Sequence, residues 1–272
     1  RETCGRPSPG LPRSMTGGAV MSKTTSISNS EGGRPSEIAA APYWRRSRRP
    51  VEILIFLLPL VIAFEIALVW SPDHSAVMRI AAYRWVESMF VAMGAADFGL
   101  AIPGILMVVA LLVWQVLSRE SWRFHLPTIP VMAIESIILA IPLLIVGVIL
   151  GKRAVGEDVS EAMIVPGSIL AEEAPSFFEM LSMAIGAGLY EELIFRWVLI
   201  AILHSILADG FKIAGRTASL VAAVISSVLF MIAHDPGTAG AALFFLIGGA
   251  WFSSIYLVRG FGLAAGAHVA YD

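Results

Sequence analysis

The stretch "GAGLYEELIFRWVLIAIL", Gly186 to Leu203, sets two adjacent glutamates and an arginine, Glu191, Glu192 and Arg196, in an otherwise apolar run. A charged side chain at membrane depth costs several kcal/mol even on the most lenient scales. Glu192 and Arg196 are i and i+4, so on a helix they share one face and neutralise each other. Glu191 lies about 100° around the same helix from Glu192 and cannot share that contact equally. A second carboxylate beside one already paired needs a partner of its own, and a buried carboxylate of that kind suits a general base.

The surrounding chain explains why the run reads as a membrane helix. Of 272 residues, 57% are hydrophobic and only 15% charged, against about a quarter charged in soluble domains. Mean hydropathy is +0.78. The expected fold is all-α, a polytopic bundle of about seven or eight transmembrane helices. Spans are expected at 51–70, 99–117, 129–150, 178–207, 217–234, 239–258 and from 261 to the end. Residues 76–96, with Arg79, Arg84 and Glu87 among apolar positions, read as an amphipathic interfacial helix. Gly262 and Gly266 have GxxxG spacing, which predicts close packing of the last helix.

Residues 1–49 read as a disordered tail without a secretory signal. Arg1 opens the chain, and residues 1–14 or 1–20 read as an upstream extension, with Met15 or Met21 as the start. The single cysteine, Cys4, lies there and excludes an intramolecular disulfide. At the far end the apolar segment from Phe261 stops at Asp272, about 18 Å of helix against about 30 Å of hydrocarbon, so the last helix is expected to be cut short. The N-terminal helices, 51–150, and a C-terminal group of helices, 176–272, form the expected parts.

Four arginines in "WRRSRRP", Trp44 to Pro50, precede the first span and read as a topology determinant. The loops 118–128, 209–216 and 258–262 carry net positive charge, while 156–173 is acidic. Together they put the N-terminus in the cytoplasm, although Arg79, Arg84, Lys152 and Arg153 fall on the other side. A plasma membrane of a bacterium fits this pattern. Net charge is -2, and nothing suggests nucleic acid as a partner.

Within the last four spans the ionisable set is Glu191, Glu192, Arg196, His204, His234, His268 and Asp272. Counted from 207 and 217, Glu191 and His234 are 16 and 17 residues deep, about 24 and 26 Å, so antiparallel neighbours bring them face to face. Phe230 is one turn behind His234. His268 and Asp272 are i and i+4, but His268 is only about 10 Å past Phe261, and that depth does not match. Glu, His, His and Asp are plausible metal ligands, yet there is no HExxH pattern, and a metal site drawn from three helices is not signalled. Ser226, Ser227, Ser253 and Ser254 read as small packing residues, and His74, His125 and His204 belong to loops or helix ends.

"EELIFR", "FMIAH" and "HVAYD" fit EExxxR, FxxxH and HxxxN/D motifs, in that order, each on its own apolar segment. In this the chain resembles the CPBP family of membrane proteins, the CAAX proteases and bacteriocin-processing enzymes also called Abi, which includes the type II CAAX prenyl endopeptidases. The resemblance covers residues 176–272. It implies a bundle of about eight helices around a catalytic cavity, and glutamate-dependent peptide hydrolysis with no metal and no cofactor. It implies that Glu191 and His234 activate a water, that His268 and Asp272 stabilise the oxyanion, and that Glu192, Arg196 and Phe230 shape the site. The family often has Asn at the last position. An ionised Asp donates no hydrogen bond, so Asp272 must either be protonated or orient His268.

The partners implied are the lipid bilayer and a peptide or lipidated-protein substrate, either a prenylated CAAX protein or another membrane-tethered peptide such as a bacteriocin leader. Two other readings are a non-enzymatic immunity or adaptor protein of the same fold and a transporter with a Glu–His proton relay. The last lacks paired interrupted helices. The oligomeric state is not legible.

Overall fold

The computed structural model describes residues 41–70, 102–154 and 176–272, all within one compact unit, Gly32–Asp272. The expected interfacial helix at 76–96, the acidic stretch at 156–173 and residues 1–40 of the tail lie outside them. Among the described residues the fold is all-helical. The helices are α1 (Pro50–Trp70), α2 (Ile102–Ser118), α3 (Thr128–Ala154), α4 (Phe177–Gly210), α5 (Gly215–Ala233), α6 (Ala239–Arg259) and α7 (Phe261–Tyr271). Each expected span therefore has its helix. Five, α1 and α3 to α6, are long and apolar enough to cross a membrane; α2 and α7 are shorter.

Apolar side chains clothe both faces of the bundle wall. Ile134, Ile137, Ile138, Ile141, Leu144 and Ile145 of α3 are exposed, as suits a surface against lipid tails rather than water. Facing inward, Ile53, Leu57, Phe64, Met107, Met132, Leu189, Tyr190 and Leu263 join α1, α2, α3, α4 and α7 in one core. α5 and α6 pair along a seam of small residues, and α7 is wedged between α3 and the middle of α4.

The wedge depends on glycine. A Cβ at Gly266 would meet the Ser136 hydroxyl and the Phe56 ring, and one at Gly262 would meet Ile53, so the GxxxG face is the close-packed one. From the other side, a Cβ at Gly188 of α4 would lie 2.5 Å from the Val269 backbone nitrogen. Gly260, at φ 92°, makes the corner between α6 and α7, a conformation that L side chains rarely adopt.

α4 starts with a reciprocal cap: the Ser176 hydroxyl accepts from the Glu179 amide and the Glu179 carboxylate accepts from the Ser176 amide. Its centre departs from the expected α-helix. Ala187–Leu199 winds in the wider π form, with i→i+5 hydrogen bonds, a geometry that is rare and concentrated at functional sites. The Ser226 hydroxyl of α5 donates to the Phe195 carbonyl in this run at 2.6 Å, so one of the expected packing serines ties α5 to the π segment.

The expected tail also needs correction at its end. Residues 41–49 form a helical turn, Tyr43–Arg46, and are hydrogen-bonded to the bundle. Arg49 donates to Glu120 at 2.6 Å and to the carbonyls of Ser121 and Arg123. Arg259 grips Glu135 through two hydrogen bonds of 2.6 and 2.7 Å, and the Tyr43 hydroxyl donates to the same carboxylate at 2.5 Å. Burial first, and then that carboxylate, push the Tyr43 phenol well above its ordinary range. Part of the arginine cluster thus fastens the entry to α1 onto the loop before α3 and the end of α6.

Gly188→Ala should lower stability by about 1–3 kcal/mol, because the obstacle is backbone that cannot swing aside. Gly248→Ala, whose Cβ would make an ordinary 3.6 Å contact with Leu143, should leave the protein's stability unchanged. Thermal unfolding of the two variants in detergent checks this.

Candidate active site

The π segment of α4 brings Glu191, Glu192 and Arg196 to the bundle interior, each buried. Glu192 Oε1 lies 3.0 Å from Arg196 Nη1, the expected i,i+4 pair. The same oxygen lies 2.8 Å from Nδ1 of His268, a link the sequence did not indicate. Arg196 also donates to the Gly249 carbonyl of α6 at 3.4 Å, and its guanidinium sits 4.2 Å from the centre of the Phe230 ring.

Glu191 takes the other direction. Its Oε2 is 3.5 Å from His234 Nε2 and 4.0 Å from His268 Nε2. These are long contacts, and among the described residues that oxygen has no hydrogen bond of ordinary geometry.

His234 is presented by the way α5 stops. The helix ends at Ala233, Asp235 follows at φ 46°, and Pro236 prevents continuation. His234 Nδ1 donates to the Phe230 carbonyl at 2.7 Å. A carbonyl only accepts, so in the neutral ring the proton is on Nδ1 and the Nε2 lone pair faces Glu191.

On α7, His268 has Nδ1 against Glu192 and Nε2 3.4 Å from Asp272 Oδ2. Both ring nitrogens face carboxylate oxygens, and only an imidazolium donates from both. Exposure falls off across the site: 21% of the His234 side chain remains accessible, against none of Glu192 or Arg196. The cluster is thus more open on the His234 side than behind Glu192.

The structure therefore gathers Glu191, Glu192, Arg196, Phe230, His234, His268 and Asp272 into one cluster. The depth mismatch of His268 comes from measuring from helix ends. Trp197 stacks on Phe261 with ring centres 5.3 Å apart, so α7 begins beside the middle of α4, and the α4–α5 hairpin projects past the α6–α7 corner. Measured from that shared level, Glu192 and His268 are only a few residues along their respective helices.

Two residues escaped the sequence reading. Phe245 stacks on His234 with ring centres 4.2 Å apart and planes 25° apart; Phe252 stacks on His268 at 4.3 Å and 14°. With Gly249 they form an i, i+4, i+7 stripe on α6, a periodic signal present in "FLIGGAWF". No group of three or more His, Cys, Asp and Glu among the described residues has the spacing of a metal site.

Residues 173–272 match a family model described as type II CAAX prenyl endopeptidase Rce1-like. Searches of curated proteins and of solved structures return no match.

Removing one partner of a buried pair strands the other. Glu192→Gln should destabilise the protein by about 3–5 kcal/mol, whereas Glu192→Leu combined with Arg196→Met should cost less than either single change. Denaturation in detergent checks the ordering.

Proposed function

We propose, on the premise that the chain carries an Rce1-like domain at residues 173–272, that it is an intramembrane endopeptidase. It would hydrolyse a peptide bond in a membrane-associated or lipidated peptide with a water activated by Glu191 and His234. The observation that carries the reading is the pair of acceptors, Glu191 Oε2 and His234 Nε2, facing each other at 3.5 Å. A water donating one proton to each keeps its lone pair for attack, which is what a general base must arrange.

In this reading the water oxygen bonds to the scissile carbonyl carbon as its proton passes to Glu191. The carbonyl oxygen becomes an oxyanion, stabilised by Nε2–H of the His268 imidazolium. Collapse breaks the C–N bond, and the proton returns from Glu191 to the leaving amine. Asp272 acts through His268: with Glu192 it brackets the ring and favours its charged, doubly donating form. An ionised Asp can do this although it cannot donate to the oxyanion itself. Glu192 and Arg196 hold His268 in place, and Phe230 fixes the tautomer of His234 through its carbonyl. The buried surroundings strengthen each of these interactions.

The same reading places the protein in a bacterial plasma membrane with the N-terminus cytoplasmic. It is supported by the arginines before α1 and the positive loops 118–128 and 209–216.

The test is cleavage of a fluorogenic farnesylated CAAX-type peptide by purified protein in detergent, with and without a chelator. Glu191→Gln and His234→Ala should each lower the rate by about 10²–10⁴-fold with unchanged thermal unfolding, and the wild-type rate should survive the chelator. A Glu191→Gln variant that cleaves at the wild-type rate would overturn the proposal.

A further inference from the structure

α6 contributes no ionisable side chain to the cluster, yet it touches both imidazoles. Phe245 and Phe252 are two helical turns apart on one face, and each lies nearly parallel to a different histidine ring. Between them Gly249 brings the α6 backbone against α5, where a Cβ would lie 3.0 Å from Ser227 Cα and the Ser227 carbonyl oxygen. The glycine sets how closely the two phenylalanines approach. The Ser227 and Ser253 hydroxyls, 3.3 Å apart, link the same pair of helices.

An imidazole held only by one ring nitrogen can pivot about that bond. His234 is anchored at Nδ1 by the Phe230 carbonyl, and its Nε2 contact with Glu191 is long. His268 is anchored at Nδ1 by Glu192, with a longer contact from Nε2 to Asp272. A flat ring stacked on each imidazole face removes the pivot. It also shields that face from water.

We propose that Phe245 and Phe252 are positioning residues: a two-ring clamp on α6 that fixes the planes of His234 and His268 so that both Nε2 atoms point at Glu191. The clamp rests on the peptidase reading for its catalytic consequence, but not for its structural one. Misplacing a reacting group by about 1 Å can cost about 10²-fold in rate, so the aromatic ring, not only its bulk, should matter.

The experiment pairs kinetics on the farnesylated peptide with NMR of histidine-labelled protein in detergent. Phe245→Leu fills much of the space without a flat face; Phe245→Tyr keeps the face at a position that is only partly buried. Phe245→Leu should lower kcat by about 10–100-fold with KM nearly unchanged, and Phe245→Tyr should stay within about threefold of wild type. In the spectra, Phe245→Leu should broaden the downfield Nδ1–H resonance of His234, and Phe252→Leu that of His268, each leaving the other intact, while Phe245→Tyr leaves both sharp. The NMR arm needs no activity. If wild type fails to cleave but the resonances respond ring by ring, the clamp stands and the peptidase reading falls. Folded Leu variants that keep both resonances and the wild-type kcat would overturn the clamp, as would a Tyr variant as impaired as its Leu counterpart.

Discussion

One oxygen atom of Glu192 organises the polar centre. It meets the guanidinium of Arg196 at 3.0 Å and the imidazole of His268 at 2.8 Å. A carboxylate without partners in this interior would cost several kcal/mol, so α4 and α7 must approach until His268 reaches it. Gly188 and Gly266 allow that approach, one against the Val269 backbone and the other against α1 and α3. Because Glu192 takes up Arg196, Glu191 is left facing the two Nε2 atoms with no cation bound to it at close range. Two adjacent glutamates thus acquire opposite environments: one paired and sealed, the other facing the His234 lone pair and reached from the side where His234 is partly exposed.

The rest of the bundle keeps these few groups from drifting. The π segment widens α4 where it carries the three charged residues, and Ser226 of α5 ties to its Phe195 carbonyl. α6 covers the cluster with Phe245, Gly249 and Phe252, while Trp251 donates to the Leu139 carbonyl of α3 at 2.8 Å. At the far end of α6, Arg259, Glu135 and Tyr43 fasten the entry to α1. Stability and site geometry therefore depend on the same close helix contacts, which is the usual condition for a membrane bundle held by packing rather than by the hydrophobic effect.

Much of this was legible in the sequence because membrane helices announce themselves by length and apolarity. The boundaries of α1, α3, α5 and α6 follow from Pro50, Thr128, Gly215 and Thr238 at the edges of apolar runs. The i,i+4 relations of Glu192 with Arg196 and of His268 with Asp272 follow from helix geometry alone. Three things did not follow. The π turns of Ala187–Leu199 are a backbone choice that no residue in "AGLYEELIFRWVL" requires. The bond between Glu192 and His268 joins residues 76 apart, and depth counted from helix ends misjudged it because the α4–α5 hairpin overshoots α7. Phe245 and Phe252 drew no reading because aromatic residues on an apolar helix carry no mark of what they will stack on.

The central claim is that Glu191 directs a water at the peptide carbonyl and does not attack it directly. A single-turnover cleavage in ¹⁸O-labelled water, with the new carboxyl terminus weighed by mass spectrometry, tests this. Direct attack by water places one ¹⁸O in the product of the first turnover. A first-turnover product carrying only ¹⁶O, its oxygen drawn from an enzyme carboxylate, would contradict the account.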